Sequence, residues 1–127
     1  MSTFQELLKI RPHILREGVI ARAVAGERMT LAVVDLEPDA TVPEHKHENE
    51  QLGFVIGGTI TMRVGSETLE LHPGDTYSIP SNVPHEATAG IDGSTVVDAF
   101  APLRADWANL KRSEPSAPRW PRRAEEP

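Results

Sequence analysis

The feature that most restricts the fold of this chain is a regular alternation of short apolar segments with turns of glycine, proline and aspartate. Residues 59–64 alternate polar and apolar side chains with a period of two, which is typical of a half-buried strand. Glycine and proline pairs such as Gly57-Gly58 and Pro73-Gly74 predict tight turns between strands. Nine short strands at this spacing predict an all-β barrel or sandwich and not alternating β and α units. We place these strands over residues 18–25, 29–36, 42–47, 51–56, 59–64, 68–71, 76–79, 85–89 and 94–100.

The length of 127 residues fits one domain with polar ends. We expect an N-terminal arm over residues 1–18, in which residues 3–10 form a short amphipathic helix that closes one end of the barrel. The barrel is expected over residues 19–111 and ends in a short helical turn. Residues 112–127 are rich in Pro, Arg and Glu and are predicted to form a flexible tail with Trp120 as its one anchor. We expect the arm to cross to a partner subunit, with a two-fold homodimer as the default assembly.

Composition excludes several classes of function. The absence of cysteine excludes thiol nucleophiles, cysteine-ligated zinc and iron–sulfur clusters, and it fits a reducing cytoplasm. The net charge of −6 argues against nucleic-acid binding, which normally needs a basic face. The longest apolar segments have the length of strands, so we expect no signal peptide and no membrane span. The charge does not restrict small-molecule ligands, because an acidic surface can surround a locally positive metal site.

Three histidines lie at positions where a metal centre can form. His45 and His47 are separated by one residue, so on a strand both imidazoles point to the same face. Gln51 keeps that parity, and the parity of His85 on a later strand lets it point inward too. Imidazoles suit zinc, nickel, copper or iron, and two on one face supply half of a typical coordination sphere. The alternative is that His45 and His47 are solvated residues of the charged loop 44–50.

Two longer motifs resemble those of the cupin superfamily. The first is His-Lys-His-Glu-Asn-Glu-Gln over residues 45–51, followed by Gly53, Val55 and Gly58. The second is Leu-His-Pro-Gly-Asp over residues 71–75, followed by Ile79-Pro80 and Pro84-His85. The resemblance covers roughly residues 19–102 and implies an all-β cupin fold, the double-stranded β-helix or jelly-roll barrel. It also implies one divalent transition metal, held by His45, His47, Gln51 and His85.

The proposed fourth ligand departs from the usual pattern, since the first motif often ends its ligand set with glutamate. Gln51 is the better candidate than the neighbouring Glu50, which has the wrong parity for the inner face. Three neutral imidazoles and a neutral amide favour an anionic ligand and make the ion a Lewis acid for a carbonyl or hydroxyl oxygen. Such ligands admit nickel, zinc, iron or manganese, and the missing carboxylate argues against iron-dependent oxygen chemistry. Gly53 is a second departure, since a larger polar side chain there would be available to contact substrate.

The end of the last predicted strand carries a third group of candidate residues. Asp98 and Phe100 share a face, and an aspartate in an apolar strand is costly to bury unless it is paired or functional. The segment Asp-x-Phe-x-Pro-x-Arg-x-Asp over residues 98–106 resembles the end of the small cupins that linearise unsaturated uronates from pectin and alginate breakdown. The resemblance implies that Asp98, Phe100 and Arg104 line the pocket near the metal. In the purely structural alternative, Asp98 pairs with Arg63 or Arg104, Phe100 is ordinary core, and Arg104 is an exposed cap.

Two classes of function follow from these residues. In an enzyme, Arg104 pairs with the carboxylate of a small anionic substrate, Asp98 shuttles a proton and Phe100 walls the pocket. The reaction is then hydration or ring opening of an unsaturated uronate to its linear keto form, or the chemistry of a cupin isomerase, cyclase or dioxygenase of another pathway. The competing class is a non-catalytic ligand-binding or sensing cupin, because a fold does not determine a function. A stand-alone domain with a complete ligand set favours the enzyme.

Overall fold

The computed structural model describes residues 3–121, and most of them lie in strands. Eight strands and two 3₁₀ turns follow one another along the chain. The 3₁₀ turns span Leu7–Lys9 and Ala105–Asn109. The strands are β1 (His13–Arg16), β2 (Val19–Ala25), β3 (Thr30–Leu36), β4 (Thr41–His45), β5 (Glu50–Val64), β6 (Glu67–Leu71), β7 (Thr76–Ile79) and β8 (His85–Ala101).

The strands join one antiparallel sheet that curves around the core. Its main path runs β1-β2-β3-β8-β5-β6, while β4 pairs with β8 and β7 pairs with β5. The two longest strands, β5 and β8, have 15 and 17 residues and pair with each other along most of their length. The beginning of β8 also pairs with β4 and its end with β3, so this strand belongs to both halves of the barrel. The predicted all-β jelly-roll barrel, with a short N-terminal arm and a C-terminal helical turn, is confirmed.

The predicted tight turn at Gly57-Gly58 is wrong, because β5 continues through both glycines. The pairing of β5 with β8 shifts register between Val55 and Gly57 and again between Gly58 and Ile60, so the strand bends at bulges without reversing. Gly58 has a φ of 66°, and a Cβ atom on it would lie 2.0 Å from the carbonyl oxygen of Gly93. A glycine pair that allows a positive φ and a close backbone approach has the same sequence signature as a turn.

The apolar core lies on the inner faces of the strands. Alternate residues of β2, β3, β5 and β8 are buried, as expected for strands with one face inward. Burying a valine, leucine, isoleucine, methionine or phenylalanine side chain contributes roughly 1.5–3 kcal/mol, so this core holds the barrel together without disulfides. Its members are Val19, Ala21, Ala32, Val34, Leu36, Val55, Ile60, Met62, Leu71, Ile79, Ala87, Ala89, Val96, Phe100 and Trp107.

The outward-pointing side chains of β2 and β3 include a buried ion pair. Arg22 is only 1% exposed, and its Nη1 donates to Oδ2 of Asp35 at 2.9 Å. The other carboxylate oxygen of Asp35 accepts a hydrogen bond from the Thr95 hydroxyl at 2.7 Å. A buried charge of this kind needs its partners, because removing one leaves the other uncompensated.

The described part of the C-terminal tail packs over this ion pair. Nη2 of Arg22 donates to the hydroxyl and the carbonyl oxygen of Ser116, at 3.0 and 3.1 Å. Arg119 donates to the carbonyl oxygen of Asp92 at 2.9 Å. The predicted anchor, Trp120, is 47% exposed, so these polar contacts hold the tail. The flexibility of the tail stays a prediction, and its last six residues, 122–127, lie outside the described residues.

The N-terminal arm contains one short 3₁₀ turn and the strand β1 in place of the predicted amphipathic helix. The predicted helix over residues 3–10 is reduced to the 3₁₀ turn Leu7–Lys9, and Phe4 is 85% exposed, so its ring does not close the barrel. So short a segment is marginal as a helix, and Pro12 favours extended backbone before it. The arm then adds β1 to the sheet edge beside β2. Within residues 3–121, no helix is long and apolar enough to cross a membrane.

Candidate metal centre and adjoining pocket

Three imidazoles converge where β4 ends and β8 begins. His45 is the last residue of β4, His85 is the first residue of β8, and the two are paired across the sheet. The ring centroids of His45 and His85 lie 4.2 Å apart, those of His47 and His85 4.9 Å, and those of His45 and His47 5.6 Å. One nitrogen of each ring lies within 4.8 Å of the other two. Such a group of imidazole nitrogens can hold one metal ion.

The local structure around His47 differs from the prediction, although the rings converge. The strand predicted over residues 42–47 ends at His45, so His47 does not share a strand face with it. His47 lies in the turn that connects β4 to β5. The prediction from strand parity is therefore wrong for His47, whose ring reaches the cluster through the turn after β4 and not through the pleat of the strand.

Backbone carbonyl groups define the tautomer of all three histidines. The Nδ1 atoms of His45, His47 and His85 lie 2.9 Å from the carbonyl oxygens of Pro43, Asn49 and Val83 respectively. A carbonyl oxygen can only accept, so each Nδ1 carries the proton and each neutral ring keeps its lone pair on Nε2. Metal-ligating histidines commonly donate their second nitrogen to a carbonyl in this way.

The unpartnered nitrogens of the cluster fit a metal ion. The Nε2 atoms of His47 and His85 are buried and have no hydrogen-bond partner within the described chain, a costly state for a polar atom. Burial lowers the pKa of His85 to about 4 and also lowers the pKa of His47. His47 and His85 are therefore neutral near neutral pH, which is the form that binds metals. The residues present fit one divalent ion with three imidazole ligands.

Gln51 lies on the inner face of β5 and is 8% exposed. Its side-chain amide lies near both His47 and Asp98, between the histidine cluster and the buried carboxyl group. The role of Gln51 as fourth ligand stays a prediction.

A cavity of about 450 Å³ opens beside the histidines. It brings together the candidate residues predicted from separate parts of the sequence, because β5 and β8 are adjacent strands. His47 adjoins the cavity through the ring of Phe100, with ring centroids 5.9 Å apart in an edge-to-face arrangement. The predicted site residues in the wall are His45, Gln51, Asp98, Phe100 and Arg104.

Asp98 pairs with a tyrosine that the sequence analysis missed. The Tyr77 hydroxyl donates a short hydrogen bond to Oδ1 of Asp98. Burial raises the pKa of Asp98 to about 6, although the hydrogen bonds from Tyr77 and Gln51 and the charge of Arg104 lower it. The alternative pairing with Arg63 is wrong, because Arg63 donates to the carboxylates of Glu44 and Glu86.

Gly53 creates the space for this tyrosine–aspartate pair. In the sheet, Gly53 lies directly between Tyr77 of β7 and Asp98 of β8. A Cβ atom at Gly53 would lie 2.4 Å from Oδ1 of Asp98 and from the Tyr77 ring. Gly53 has no side chain that could contact substrate, and the Tyr77 ring occupies the space where such a side chain would lie. A glycine opposite two large inward side chains is the signal that points to this pair.

Arg104 is held inside the pocket and is not an exposed cap. Its side chain is 12% exposed, and its Nε and Nη2 donate to the two carboxylate oxygens of Asp106 at 3.1 and 2.9 Å. The guanidinium carbon lies 4.8 Å from the ring centroid of Phe100 and 4.7 Å from that of Trp107. Phe100 belongs to the core and to the cavity wall at the same time. These contacts present a fixed cation to the cavity.

Asn49 is a further residue that the sequence analysis missed. It is 8% exposed, its carbonyl oxygen accepts from His47, and its side-chain amide donates to the carbonyl oxygens of Pro102 and Leu103. Asn49 thus ties the histidine turn to the loop that precedes Arg104. Its place inside the first motif, between two glutamates, gives no signal of this contact.

The fold and the site together define a class of protein: a small antiparallel β-barrel with a three-histidine centre beside a pocket for a small ligand. The chain belongs to the cupin family, because the cupin-domain family model matches residues 32–97, just over half of the chain. The family resemblance inferred from the two motifs is thereby confirmed.

Comparison with individual proteins shows which members of the family this chain is similar to. The pectin degradation protein KdgF of Dickeya dadantii (strain 3937) is 26% identical over 95 residues, which are 73% of this chain and 86% of that protein. The H2HPP isomerase of Bacillus subtilis is 32% identical over 69 residues, 54% of this chain and 29% of that protein. The solved structure of KdgF from Halomonas sp. has a TM-score of 0.76 and 25% identity, over 84% of this chain and 98% of that one. The chain is thus similar to KdgF over most of its length.

Proposed function

We propose that this cupin is a metal-dependent enzyme which converts a small carboxylated sugar, by ring opening of an unsaturated uronate to its linear keto form. The observation that carries the proposal is the convergence of three imidazole rings, each with one nitrogen within 4.8 Å of the other two, beside a cavity lined by a fixed arginine and a buried carboxyl group. Similarity to KdgF, a pectin degradation protein, supports the same substrate class.

His45, His47 and His85 would hold the ion, with Gln51 as fourth ligand. The ion would supply Lewis acidity toward a carboxylate or hydroxyl oxygen of the substrate. Nickel, zinc, iron and manganese all accept this donor set. Because every donor is neutral, the centre keeps a net positive charge and attracts an anion.

The remaining pocket residues would bind the substrate and move a proton. Arg104 pairs with the uronate carboxylate, and Phe100 forms the apolar wall against the sugar ring. Ring opening breaks the bond between the ring oxygen and the anomeric carbon, and the anomeric hydroxyl loses its proton. A proton is added to the unsaturated ring carbon, and the ring oxygen becomes that of a ketone. The atoms balance without an oxidant or a second substrate.

Asp98 is the group suited to carry that proton. Its pKa of about 6 lies close to neutrality, so it can both accept and donate near physiological pH. The Tyr77 hydrogen bond holds Oδ1 of the carboxyl group, which restricts its orientation.

The metal content of the purified protein tests the first half of the proposal. We expect about one ion per chain in the wild type, and its loss in His47→Ala and Gln51→Ala. His72→Ala is the matched control, because His72 lies outside the cluster and its side chain is 59% exposed. A wild type that stays empty after nickel, zinc, iron and manganese have each been supplied would contradict the metal-dependent function.

Conversion of an unsaturated monouronate tests the second half. Loss of the ultraviolet absorbance of the conjugated double bond reports the reaction. Asp98→Asn should reduce the rate by about 10²–10⁴-fold while the metal content is retained. If the metal-loaded wild type binds the uronate without converting it, a ligand-binding module is the better account.

A further inference from the structure

Several contacts hold both the backbone and the side chain of Arg104 in one position. Its backbone N–H donates to the Thr30 hydroxyl at 3.1 Å, and the preceding carbonyl group, of Leu103, accepts from Asn49 at 3.1 Å. Its guanidinium contacts the rings of Phe100 and Trp107, as described above. These contacts define the position of the guanidinium group but not which of its edges faces the ligand.

Asp106 determines which edge of the Arg104 guanidinium group is left free to bind a ligand. Both of its carboxylate oxygens accept from the Nε and Nη2 side of Arg104, at 3.1 and 2.9 Å. This side-on pairing occupies one of the two edges with which a guanidinium group can form two parallel hydrogen bonds to a carboxylate. The other edge, which includes Nη1, carries none of the hydrogen bonds recorded for the described residues.

Asp106 is itself held in place, although its side chain is 65% exposed. It is the second residue of the 3₁₀ turn Ala105–Asn109, and the next residue, Trp107, anchors that turn in the core at 6% exposure. Its hydrogen bond with Arg104 lowers the pKa of Asp106, so the carboxylate is ionised at neutral pH. Its solvent exposure screens its repulsion of an anionic ligand.

We propose that Asp106 is a positioning residue, which occupies one edge of Arg104 so that the Nη1 edge receives a single planar carboxylate of the substrate. This inference rests on the proposed function, since it takes Arg104 as the receptor of the substrate carboxylate. It also narrows the substrate class. Glu44, Asp98 and Asp106 all line the same cavity, so a monoanionic sugar acid suits the site better than a dianionic sugar phosphate.

Equilibrium binding of D-glucuronate tests the role without catalysis. Wild type, Asp106→Ala and Asp106→Asn are loaded to equal metal content and titrated with glucuronate and with neutral D-glucose by calorimetry. We expect Asp106→Ala to weaken glucuronate binding by about tenfold, because Arg104 regains conformational freedom, and to leave glucose binding unchanged. Asp106→Asn retains one acceptor and should fall between the two. Unchanged or tighter glucuronate binding in Asp106→Ala overturns the proposal.

Hydrogen exchange of the Arg104 Nε–H group, followed by NMR, separates this inference from the proposed function. We expect exchange to be at least tenfold faster in Asp106→Ala than in the wild type, since the acceptor of that N–H is lost. If the wild type binds no glucuronate, the proposed substrate class fails, and exchange alone then decides the role of Asp106. Equal exchange rates in the two proteins overturn the positioning role.

Discussion

Replacing Asp98 by asparagine should change how the stability of the metal-free protein depends on pH. Burial raises the pKa of Asp98 from its ordinary 3.8 to about 6. The protonated carboxyl group is therefore the form that the fold favours. Its contribution to stability is fully present below pH 3.8 and is lost as the pH rises through about 6. A difference of about two pKa units corresponds to about 3 kcal/mol.

Asparagine does not titrate, so the comparison isolates this contribution. We expect the free energy of unfolding of Asp98→Asn, relative to the wild type, to increase by about 2 kcal/mol between pH ~4 and pH ~7, because at pH ~4 the carboxyl group is already partly ionised in the unfolded state. Urea unfolding of EDTA-treated protein at a series of pH values, followed by the fluorescence of the buried Trp107, measures the difference. A difference between the two proteins that stays constant with pH would refute the reasoning.

Tyr77→Phe provides a second variant for the same argument. The Tyr77 hydroxyl lowers the pKa of Asp98 by hydrogen bonding to it. Removing the hydroxyl should therefore raise the pKa of Asp98 further, and the pH range over which stability is lost should move upward. If that range moves downward, the Tyr77 hydroxyl does not lower the pKa of Asp98 as proposed.

Two further predictions concern stability away from the histidines. Arg22→Met should destabilise the protein by about 3–5 kcal/mol, because it leaves the carboxylate of Asp35 buried without its cation. The double variant Arg22→Met/Asp35→Leu should recover part of this loss, and a double variant no more stable than the single one would contradict the argument. Gly53→Ala should cost about 1–3 kcal/mol, because its Cβ overlaps the tyrosine–aspartate contact. Gly57→Ala is the control with free space, since the nearest side-chain atom would lie 3.8 Å away, and an equal loss in both variants would reject the steric explanation.

The site illustrates how much spacing can predict and where it fails. His45, His47 and His85 were recognised from the two motifs, and the structure brings their rings together. The partners that orient those rings are backbone carbonyl groups, which every residue possesses. Residue identity therefore gave no indication of which carbonyl groups would be used.

The alternation of polar and apolar residues likewise predicted strands but not their continuity. The nine predicted strands became eight, because β5 and β8 each merge two predicted strands and β1 adds one in the arm. At Gly57-Gly58, a bend within one strand and a turn between two strands make the same local demand on the backbone. Only the pairing of β5 with β8 distinguishes them, and that pairing joins residues far apart in sequence.

The sequence by itself determined the fold class, the family and the chemical types gathered at the site, because periodicity and motif spacing are local properties of the chain. The tertiary structure decided which groups touch: Tyr77 with Asp98 across Gly53, Asn49 with the loop before Arg104, and one edge of Arg104 with Asp106. Most of these contacts depend on strand register and side-chain packing in three dimensions. They arise from the whole sheet and core at once, which no local pattern encodes.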